Sequence, residues 1–372
     1  MGFSWDLKLN GASLDVPFGA LKFSQTVTGF GQSGISIGQF EFDVYDTYGT
    51  YGTALLEQAT VQLVETNNYC LPSKKYYIAK RSISKGVCHF VAYDVLSLAE
   101  QSFDVSAVTG YEVTEIPCAN VLDAIKTQCG FTSIDASGNG IENIVFTAEQ
   151  LENRSCADVL EMVSVAMCGT WIATLDNGAV LACLGIPYDN SGTSVDGVNW
   201  SEIDLQGRQK ITGIVFTNSD TGAQNVLKTG EYGVVFTVDS PFVATGTQLD
   251  SIVWSRLQSL EYQAWNCNKA IIDGLAVPCA YIGFDNVQWL VNSISLDVDS
   301  TGIYISGGLP PQDEEQWQYE ERLERVKIGI DKPVGNTTID NEGKILYRNL
   351  NNGKGCNLDE HDNGICYYRS DN

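Results

Sequence analysis

Residues 74–103 constrain the fold more than any other stretch, because they predict a hairpin together with the helix that follows it. Apolar and polar residues alternate along two runs, and a period of two is typical of half-buried β-strands. Residues 84–86 supply a tight turn between the runs, and Asp94 stands where a helix over Val95–Ala99 needs its cap. The local pattern therefore predicts a hairpin packed on a short helix.

The rest of residues 1–104 has the same strand-rich character. Residues 35–46 and 60–66 alternate apolar and polar side chains, and glycine-rich breaks lie between them. Several short strands of this kind close most readily into a small barrel or sandwich. We therefore expect residues 1–104 to form a first β domain.

Residues 105–202 change to a mixed α and β pattern. Apolar side chains recur at helical spacing over 118–129 and 156–167, and a glycine stops each run. Ser155 and Asp158 have the spacing of a capping box for the second helix. An Asp-Asn-Gly turn then joins two short strands, so the region predicts a compact α+β module inserted between β-rich parts.

From residue 203 the strand pattern returns, and one helix interrupts it. Thr247 is the expected cap of that helix, whose apolar face is formed by Leu249, Ile252, Val253, Leu257 and Leu260. Strands resume up to residue 308, which makes 203–308 a second β domain. Residues 309–372 begin with a charged helix and continue as an extension or linker rich in Asn, Asp and Gly.

The chain of 372 residues carries a formal net charge of −24, from 22 basic and 46 acidic groups. This charge argues against nonspecific binding of nucleic acid by attraction. It is unevenly spread, since residues 105–209 hold 3 basic and 14 acidic groups. Two interpretations stay open: a charge that keeps the protein in solution, or a surface that lets polyanions pass without binding.

Simple patterns also predict the compartment and the redox state. No apolar run reaches the roughly 18 residues of a membrane span, and the N-terminus lacks the pattern of a secretion signal. We therefore expect a soluble product of the cytosol without a membrane anchor. Cys118, Cys129, Cys156 and Cys168 fall on or near apolar helix faces, which favours reduced, buried thiols over disulfides.

A calcium loop is the first chemical site that the sequence suggests. Asp135, Ser137 and Asn139 have the spacing of its first ligands. Phe146 occupies the position where such a loop needs a bidentate glutamate, so the ligand set is incomplete. No pair of cysteines has the spacing of a zinc or redox site.

Catalytic residues are equally scarce. The chain has 2 histidines, His89 in an alternating strand and His361 in a polar tail. The acidic pairs Asp313 with Glu314 and Glu320 with Glu324 lie on the polar face of the charged helix, without an apolar cleft. We therefore predict no catalytic residues, no cofactor and no bound metal, in a protein that is not an enzyme.

Three segments in fixed order are together similar to one known family. Residues 76–103 resemble its strand, short turn, strand ending in Ala-Tyr-Asp, and helix; residues 155–184 resemble its helix, glycine, strand and Asp-Gly hairpin. Residues 239–308 resemble its return segment and closing strands, with Ser240 where the family usually has asparagine before proline. Over residues 1–308 the chain resembles the phage tail baseplate hub proteins, the hub module of tail-associated lysins and tail tip proteins.

The resemblance implies a fold that is α+β and mainly β, assembled as a homotrimeric ring. Each chain would contribute two small β-barrels around the module at 105–202: residues 1–104, completed by strands near 203–218, and residues 203–308. Three chains would present six similar barrels to the six-fold tail tube and join it to the distal tip or spike. An axial channel would pass the genome or the tape-measure protein, with no specific binding of DNA. The protein would belong to the virion after assembly in the host cytoplasm.

Longer members of the family carry domains that cleave peptidoglycan or polysaccharide after the hub. Residues 309–372 are too few for an ordinary catalytic domain, so we expect a structural hub whose C-terminal side docks a separate spike, fibre or lysin. Three alternatives stay open: the hub of a contractile phage-tail-like bacteriocin or injection particle, a tail-associated cell-wall hydrolase, and a carbohydrate-binding adhesin.

Overall fold

The computed structural model divides the chain into two units, Met1–Pro311 and Gln312–Asn372. The residues that it describes are 5–26, 34–46, 49–53, 60–65, 68–69, 71–108, 115–136, 140–184, 194–200, 203–205, 207–229, 233–258, 260–273, 281–284, 287–291, 293–299, 302–309, 337–339, 345–348 and 355–357. The fold is mainly β with few helices, as the sequence predicts. Among the described helices, none is long and apolar enough to cross a membrane.

Strands dominate the first hundred residues because apolar and polar side chains alternate along them. The elements are β1 (Trp5–Leu9), β2 (Ala12–Ser13), β3 (Phe18–Thr26), β4 (Ile35–Ser36), β5 (Gln39–Tyr45), α1 (Thr50–Thr53), β6 (Thr60–Glu65), β7 (Asn68–Tyr69), β8 (Tyr76–Ser84) and β9 (Val87–Tyr93). In β5, Phe40, Phe42 and Val44 are buried while the residues between them are partly exposed. Phe42 stacks on Phe40 and on Phe90 of β9, so the inner face of this sheet is an aromatic core.

The predicted hairpin at 74–103 is confirmed. β8 and β9 are antiparallel, and Lys85 and Gly86 connect them with φ values of 50° and 78°. Positive φ at both positions is the geometry of a tight two-residue turn whose twist matches the strands. Asp94 caps the helix as expected, although the helix over Val95–Glu100 is a 3-10 helix.

The helices and short strands expected in the module at 105–202 are found up to residue 183, whereas Ser194–Trp200 pairs with the main sheet. The elements of the module are 3-10 turns at Val105–Ala107 and Ile141–Asn143, β10 (Ile116–Pro117), α2 (Cys118–Cys129), β11 (Ile134–Asp135), β12 (Val145–Phe146), α3 (Ala148–Leu151), α4 (Cys156–Ala166), β13 (Gly169–Ala173) and β14 (Ala179–Cys183). Gly130 ends α2 in the left-handed region, and its N–H donates to the Lys126 carbonyl. The capping box of Ser155 and Asp158 starts α4. These local predictions are confirmed.

The module is joined to the N-terminal region by main-chain pairing. Its four-stranded sheet has the order β11-β14-β13-β4, so β4 crosses from the first β region to lie parallel to β13. Trp171 N–H of β13 donates to the Gly34 carbonyl at 3.0 Å. All five residues of β13 are buried, because this strand is covered on both of its faces.

The third region returns to strands. Its elements are β15 (Ser194–Trp200), β16 (Ile203–Leu205), β17 (Gln209–Thr217), β18 (Gln224–Lys228), β19 (Val234–Asp239), α5 (Leu249–Leu257), β20 (Glu261–Tyr262), β21 (Trp265–Asp273), β22 (Tyr281–Phe284), β23 (Val287–Leu290), β24 (Ser293–Asp299) and β25 (Gly302–Leu309). The expectation that Thr247 caps α5 is wrong. Gln248 is the cap residue and makes no side-chain cap bond, while the Thr247 hydroxyl is hydrogen-bonded to the Thr245 hydroxyl at 3.2 Å.

The main sheet has fifteen strands and joins the two β regions. Its order is β2-β1-β6-β8-β9-β5-β3-β24-β25-β21-β15-β22-β23, with β7 beside β6 and β16 beside β21. β3 pairs with β24 antiparallel, from Thr26 opposite Ser293 to Leu21 opposite Val298. This order is open, so the two closed barrels expected from the sequence are not found among the described strands.

The strands near 203–218 also pair differently from the expectation that they complete the first barrel. β16 pairs with β21, while β17 forms a separate sheet with β18, β19 and β20. Ile214 and Phe216 of β17 and Val253 and Leu257 of α5 are buried in this part of the structure. β17 therefore has its own apolar cover, and β24 takes the place beside β3.

The second unit contains a small antiparallel sheet of β26 (Thr337–Ile339), β27 (Ile345–Arg348) and β28 (Gly355–Asn357). The charged helix predicted at the start of this region lies outside the described residues.

Candidate functional site

A cleft of about 250 Å³ opens between α4 and the segment that follows β19. Its charged lining consists of Arg154, Asp158, Glu161 and Asp239. Ser240 and Pro241 close one side, and apolar side chains of α4 form part of the wall. Three carboxylates against one guanidinium give the cleft an acidic character.

Asp158 of this cleft belongs to the capping box of α4. The N–H and the hydroxyl of Ser155 each donate to Asp158 Oδ2 at 2.8 Å, and the N–H of Asp158 donates back to Ser155 Oγ at 3.1 Å. These hydrogen bonds from the Ser155 backbone and side chain lower the pKa of Asp158. The carboxylate therefore stays ionised near neutral pH and holds the helix start, which makes it a poor proton donor.

Glu161 lies where the N-terminal segment crosses α4. A Cβ added to Gly34 would lie 2.6 Å from Glu161 Cγ, so only glycine allows the backbone to approach the helix this closely. The adjoining Arg154 donates its Nε to the Gln150 carbonyl at 2.6 Å. The polar groups of the cleft thus serve helix capping and close packing.

His89 has acidic neighbours that the sequence did not reveal. Its Nδ1 lies 2.8 Å from Asp43 Oδ1, and its Nε2 lies 3.9 Å from Glu41 Oε2. Ser82 stands opposite His89 on β8. The pairing of β5 with β9 brings the carboxylates in, and the alternation of each strand alone does not specify that register.

Seven of the cysteines are buried free thiols: Cys88, Cys118, Cys129, Cys156, Cys168, Cys183 and Cys267. Burial raises the pKa of both Cys118 and Cys168 to about 12, which makes them unreactive. Cys129 donates a hydrogen bond to Cys156, which raises the pKa of Cys129 and lowers that of Cys156. The four cysteines placed on apolar helix faces from the sequence are confirmed as buried.

The remaining candidate residues do not assemble into a site. Asp135 lies in β11, and its proposed calcium-loop partners at 137 and 139 fall outside the described residues. His361 and the carboxylate pairs between 313 and 324 also lie outside them. Across the part of the chain that the structure describes, no three His, Cys, Asp or Glu side chains form a group that could hold a metal ion.

The junction around Asp94 joins the main sheet to its 3-10 helix. Asp94 Oδ2 accepts the N–H of Gly38 at 2.6 Å, and Oδ1 accepts the N–H of Leu96 at 2.9 Å. The N–H of Asp94 donates in turn to the Gly38 carbonyl at 3.0 Å. Burial raises the pKa of Asp94 to about 7, against the lowering effect of the two donated bonds.

Three solved structures share this architecture. The 43 kDa tail protein of prophage MuSo2 from Shewanella oneidensis matches with a TM-score of 0.51 and 11% identity, over 83% of this chain and 98% of that one. A tail protein from Neisseria meningitidis MC58 matches with a TM-score of 0.51 and 13% identity, over 83% and 96% of the two chains. Prophage tail protein gp18 from Listeria monocytogenes EGD-e matches with a TM-score of 0.52 and 13% identity, over 87% and 100%.

The comparisons by sequence give no match, either to a family model or to a curated protein. Identities of 11–13% mean that the structural likeness shows the fold alone. At that level the resemblance drawn from the three sequence segments is confirmed, because this chain has the fold of phage tail proteins.

Proposed function

We propose that this protein is the structural hub of a bacteriophage tail, a homotrimer that joins the six-fold tail tube to the distal tip around an axial channel. The observation that carries the proposal is the fold shared with three tail proteins. That likeness spans 83–87% of this chain and 96–100% of the neighbours, so it concerns whole proteins rather than a common fragment.

The continuous main sheet supports an adaptor role. β3 and β24 pair along their length, so the first and third regions of one chain are held in a fixed relation. Two β regions in each of three chains give six positions around a ring, which is the number that a six-fold tube requires. In this proposal residues 1–104 and 203–308 are the repeated regions, and 105–202 is the support between them.

The chemistry of the described polar groups also favours a structural role over catalysis. Asp158 caps a helix, Glu161 packs on a glycine, and Asp94 fixes a junction. A net charge of −24 suits a ring through which DNA passes without being held. The partners would be the tail tube or distal tail ring, the tape-measure protein, and a separate spike, fibre or lysin, all within the virion.

The test is the mass and symmetry of the purified protein. Mass photometry across a concentration series should give a species of three times the 40.5 kDa chain mass. Electron-microscopy class averages of that species should show a ring with a central opening and three-fold symmetry. A protein that stays monomeric at every concentration, or a trimer with a filled centre, would contradict the proposal.

A further inference from the structure

One stretch of this acidic chain has the opposite charge. Residues 66–93 contain five of the 22 basic residues and not one of the 46 acidic residues. The five are Lys74, Lys75, Lys80, Arg81 and Lys85. They lie in β8, its lead-in and its turn, so the structure concentrates them along one hairpin, β8–β9.

Three of these cations have no ion-pair partner among the described residues. Lys74 pairs with Asp176, and Arg81 donates to the Tyr51 carbonyl. Lys75, Lys80 and Lys85 are exposed, and none of them makes an ion pair with any residue that the structure describes. Ion pairs among the described residues therefore do not account for these three charges.

Exposed apolar surface accompanies the free cations. Ile83 is 58% exposed and Tyr45 is 45% exposed, both at the end of the sheet where β8 turns into β9. β6 pairs with β8 only at Tyr76 and Tyr77, so within the described strands the rest of β8 extends beyond that neighbour. Ile83 and Tyr45 thus offer apolar area that a partner could bury, with the lysines as a charged rim around it.

The conformation of the turn also favours a charged contact at the tip of the hairpin. Lys85 has φ of 50°, a region that glycine, asparagine and aspartate adopt at less cost. A lysine at this position gives up turn stability and projects a charge at the outermost point of the hairpin.

We propose that the basic hairpin, defined as Lys75, Lys80, Lys85 and Ile83 of the β8–β9 region, docks on the acidic inserted module of a second copy of this chain. The proposal rests on the homotrimer proposed above and names the contact that holds it. Two chains of net charge −24 repel each other unless surfaces of opposite charge meet.

The inserted module is the complementary surface. Residues 105–209 hold 14 acidic and 3 basic groups, the steepest excess of acid along the chain. Its exposed carboxylates include Glu115, Asp123, Glu142, Glu149, Glu152 and Glu161. Lys126 of α2 is half-buried, and Arg154 is engaged with the Gln150 carbonyl, so few cations of its own screen this face.

Nucleic acid fits the hairpin less well than an acidic protein surface. Asp43 and Glu41 lie on β5, next to His89 of the same hairpin, and would repel a phosphate backbone. Ile83 offers nothing to a phosphate, whereas it can be buried against a protein.

The first test compares two hairpins of the same chain. Ile83→Ser/Lys85→Glu changes the basic hairpin, and Val226→Ser/Lys228→Glu makes the same changes, at the same spacing, on the exposed strand β18. Mass photometry should show that the first variant needs roughly ten-fold or more protein to reach half assembly, while the second resembles the unaltered chain. Equal assembly of both variants, with circular dichroism showing that both are folded, would overturn the proposal.

The second test locates the acidic partner. Carbodiimide coupling of an equimolar mixture of ordinary and ¹⁵N-labelled chains joins lysine amines to carboxylates in contact, and mixed-isotope peptides identify links between copies. Links from Lys80 or Lys85 to carboxylates within residues 105–209 are expected. Links between copies that avoid this region would overturn it.

A third arm separates the alternatives. Binding of a labelled DNA duplex, measured by fluorescence anisotropy, should not differ between the unaltered chain and Lys85→Glu. Binding by the unaltered chain that is lost in Lys85→Glu would replace the proposal with a nucleic-acid site. A monomeric unaltered chain would overturn both the trimer and this contact. A trimer that Ile83→Ser/Lys85→Glu forms at the same protein concentration as the unaltered chain would overturn the contact alone.

Discussion

Every residue of β13 in the inserted module is buried, whereas β5 of the main sheet buries one side chain in two. In the module, α4 packs against β13, and the 3-10 helix Val95–Glu100 also contacts this strand. The main sheet keeps an outer face that carries Glu41, Asp43 and His89. The difference teaches that the hairpin inside the module is an enclosed support, while the main sheet keeps one face exposed.

Truncation of the central tryptophan of the module is the strongest test of that contrast. Trp171→Ala should lower the free energy of unfolding by about 5 kcal/mol, the upper end for an aromatic truncation. Trp171 is fully buried, and its Nε1 donates to the Leu160 carbonyl at 2.8 Å, so the change leaves both a cavity and an unpaired acceptor. Urea denaturation measures the loss, and hydrogen exchange should rise first across α4 and β13.

Trp171→Phe is the control, because it keeps most of the ring and removes the N–H. Its cost should be about 1–2 kcal/mol. A loss below about 1 kcal/mol for the alanine variant would mean that the module is not the rigid support inferred from its burial.

The equivalent change in the main sheet should cost less. Phe42→Ala should lower the free energy of unfolding by about 3–4 kcal/mol, because Phe42 stacks between Phe40 and Phe90 with ring centroids 5.3 Å and 5.1 Å away. Phe42→Leu, which keeps the apolar volume, should cost about 1 kcal/mol. Exchange that rises in β5 and β9, with α4 still protected, would show that the two regions open independently although their buried side chains form one cluster; a simultaneous rise would show that they open together.

The same contrast explains what the sequence could predict. The β8–β9 turn, the Ser155 cap, the Gly130 stop and the Asp-Asn-Gly turn depend on residues within a few positions of one another. Each was predicted from the sequence and is confirmed. Almost the whole framework of the module could therefore be derived from local patterns.

The partners of the main-sheet strands could not be derived in this way. β3 and β24 are separated by more than half of the chain, and alternation marks each as a strand without naming its neighbour. For the same reason, the sequence did not predict that Asp43 lies beside His89 or that β4 pairs with β13. Thr247 failed as a cap for a different reason, since the helix begins one residue later and the Thr247 hydroxyl is hydrogen-bonded to Thr245.

Asp94 offers a pH-dependent test at the junction between the sheet and its 3-10 helix. Burial raises its pKa from 3.8 to about 7, so the folded chain keeps a proton that the unfolded chain has already lost. Its contribution is therefore fully present below about pH 3.8 and is lost as the pH rises through about 7. The free energy of unfolding should fall by at most about 1.4 kcal/mol per pH unit between these limits.

Asp94→Asn is the matched variant because its side chain stays neutral at every pH. From pH 5 to pH 8, the free energy of unfolding of the unaltered protein should fall relative to that of this variant. Tyr76 faces the carboxylate from β8 and stays protonated in this range, because its own pKa is raised by burial. A difference that stays constant with pH would show that Asp94 does not take up a proton on folding.

The smallest expected effect compares two capping boxes inside the module. Ser155→Ala should lower the free energy of unfolding by about 1 kcal/mol, because it removes the acceptor of the Asp158 N–H and a donor to the Asp158 carboxylate. Thr147→Ala removes the equivalent acceptor of the Gln150 N–H, but α3 spans only Ala148–Leu151. Ser155 also lies next to Cys156, whose N–H donates to the Gln101 carbonyl of the segment after the 3-10 helix. Thermal unfolding should therefore show a larger loss of stability for Ser155→Ala than for Thr147→Ala. The reverse order would mean that the start of α4 does not stabilise the contact with the segment after the 3-10 helix.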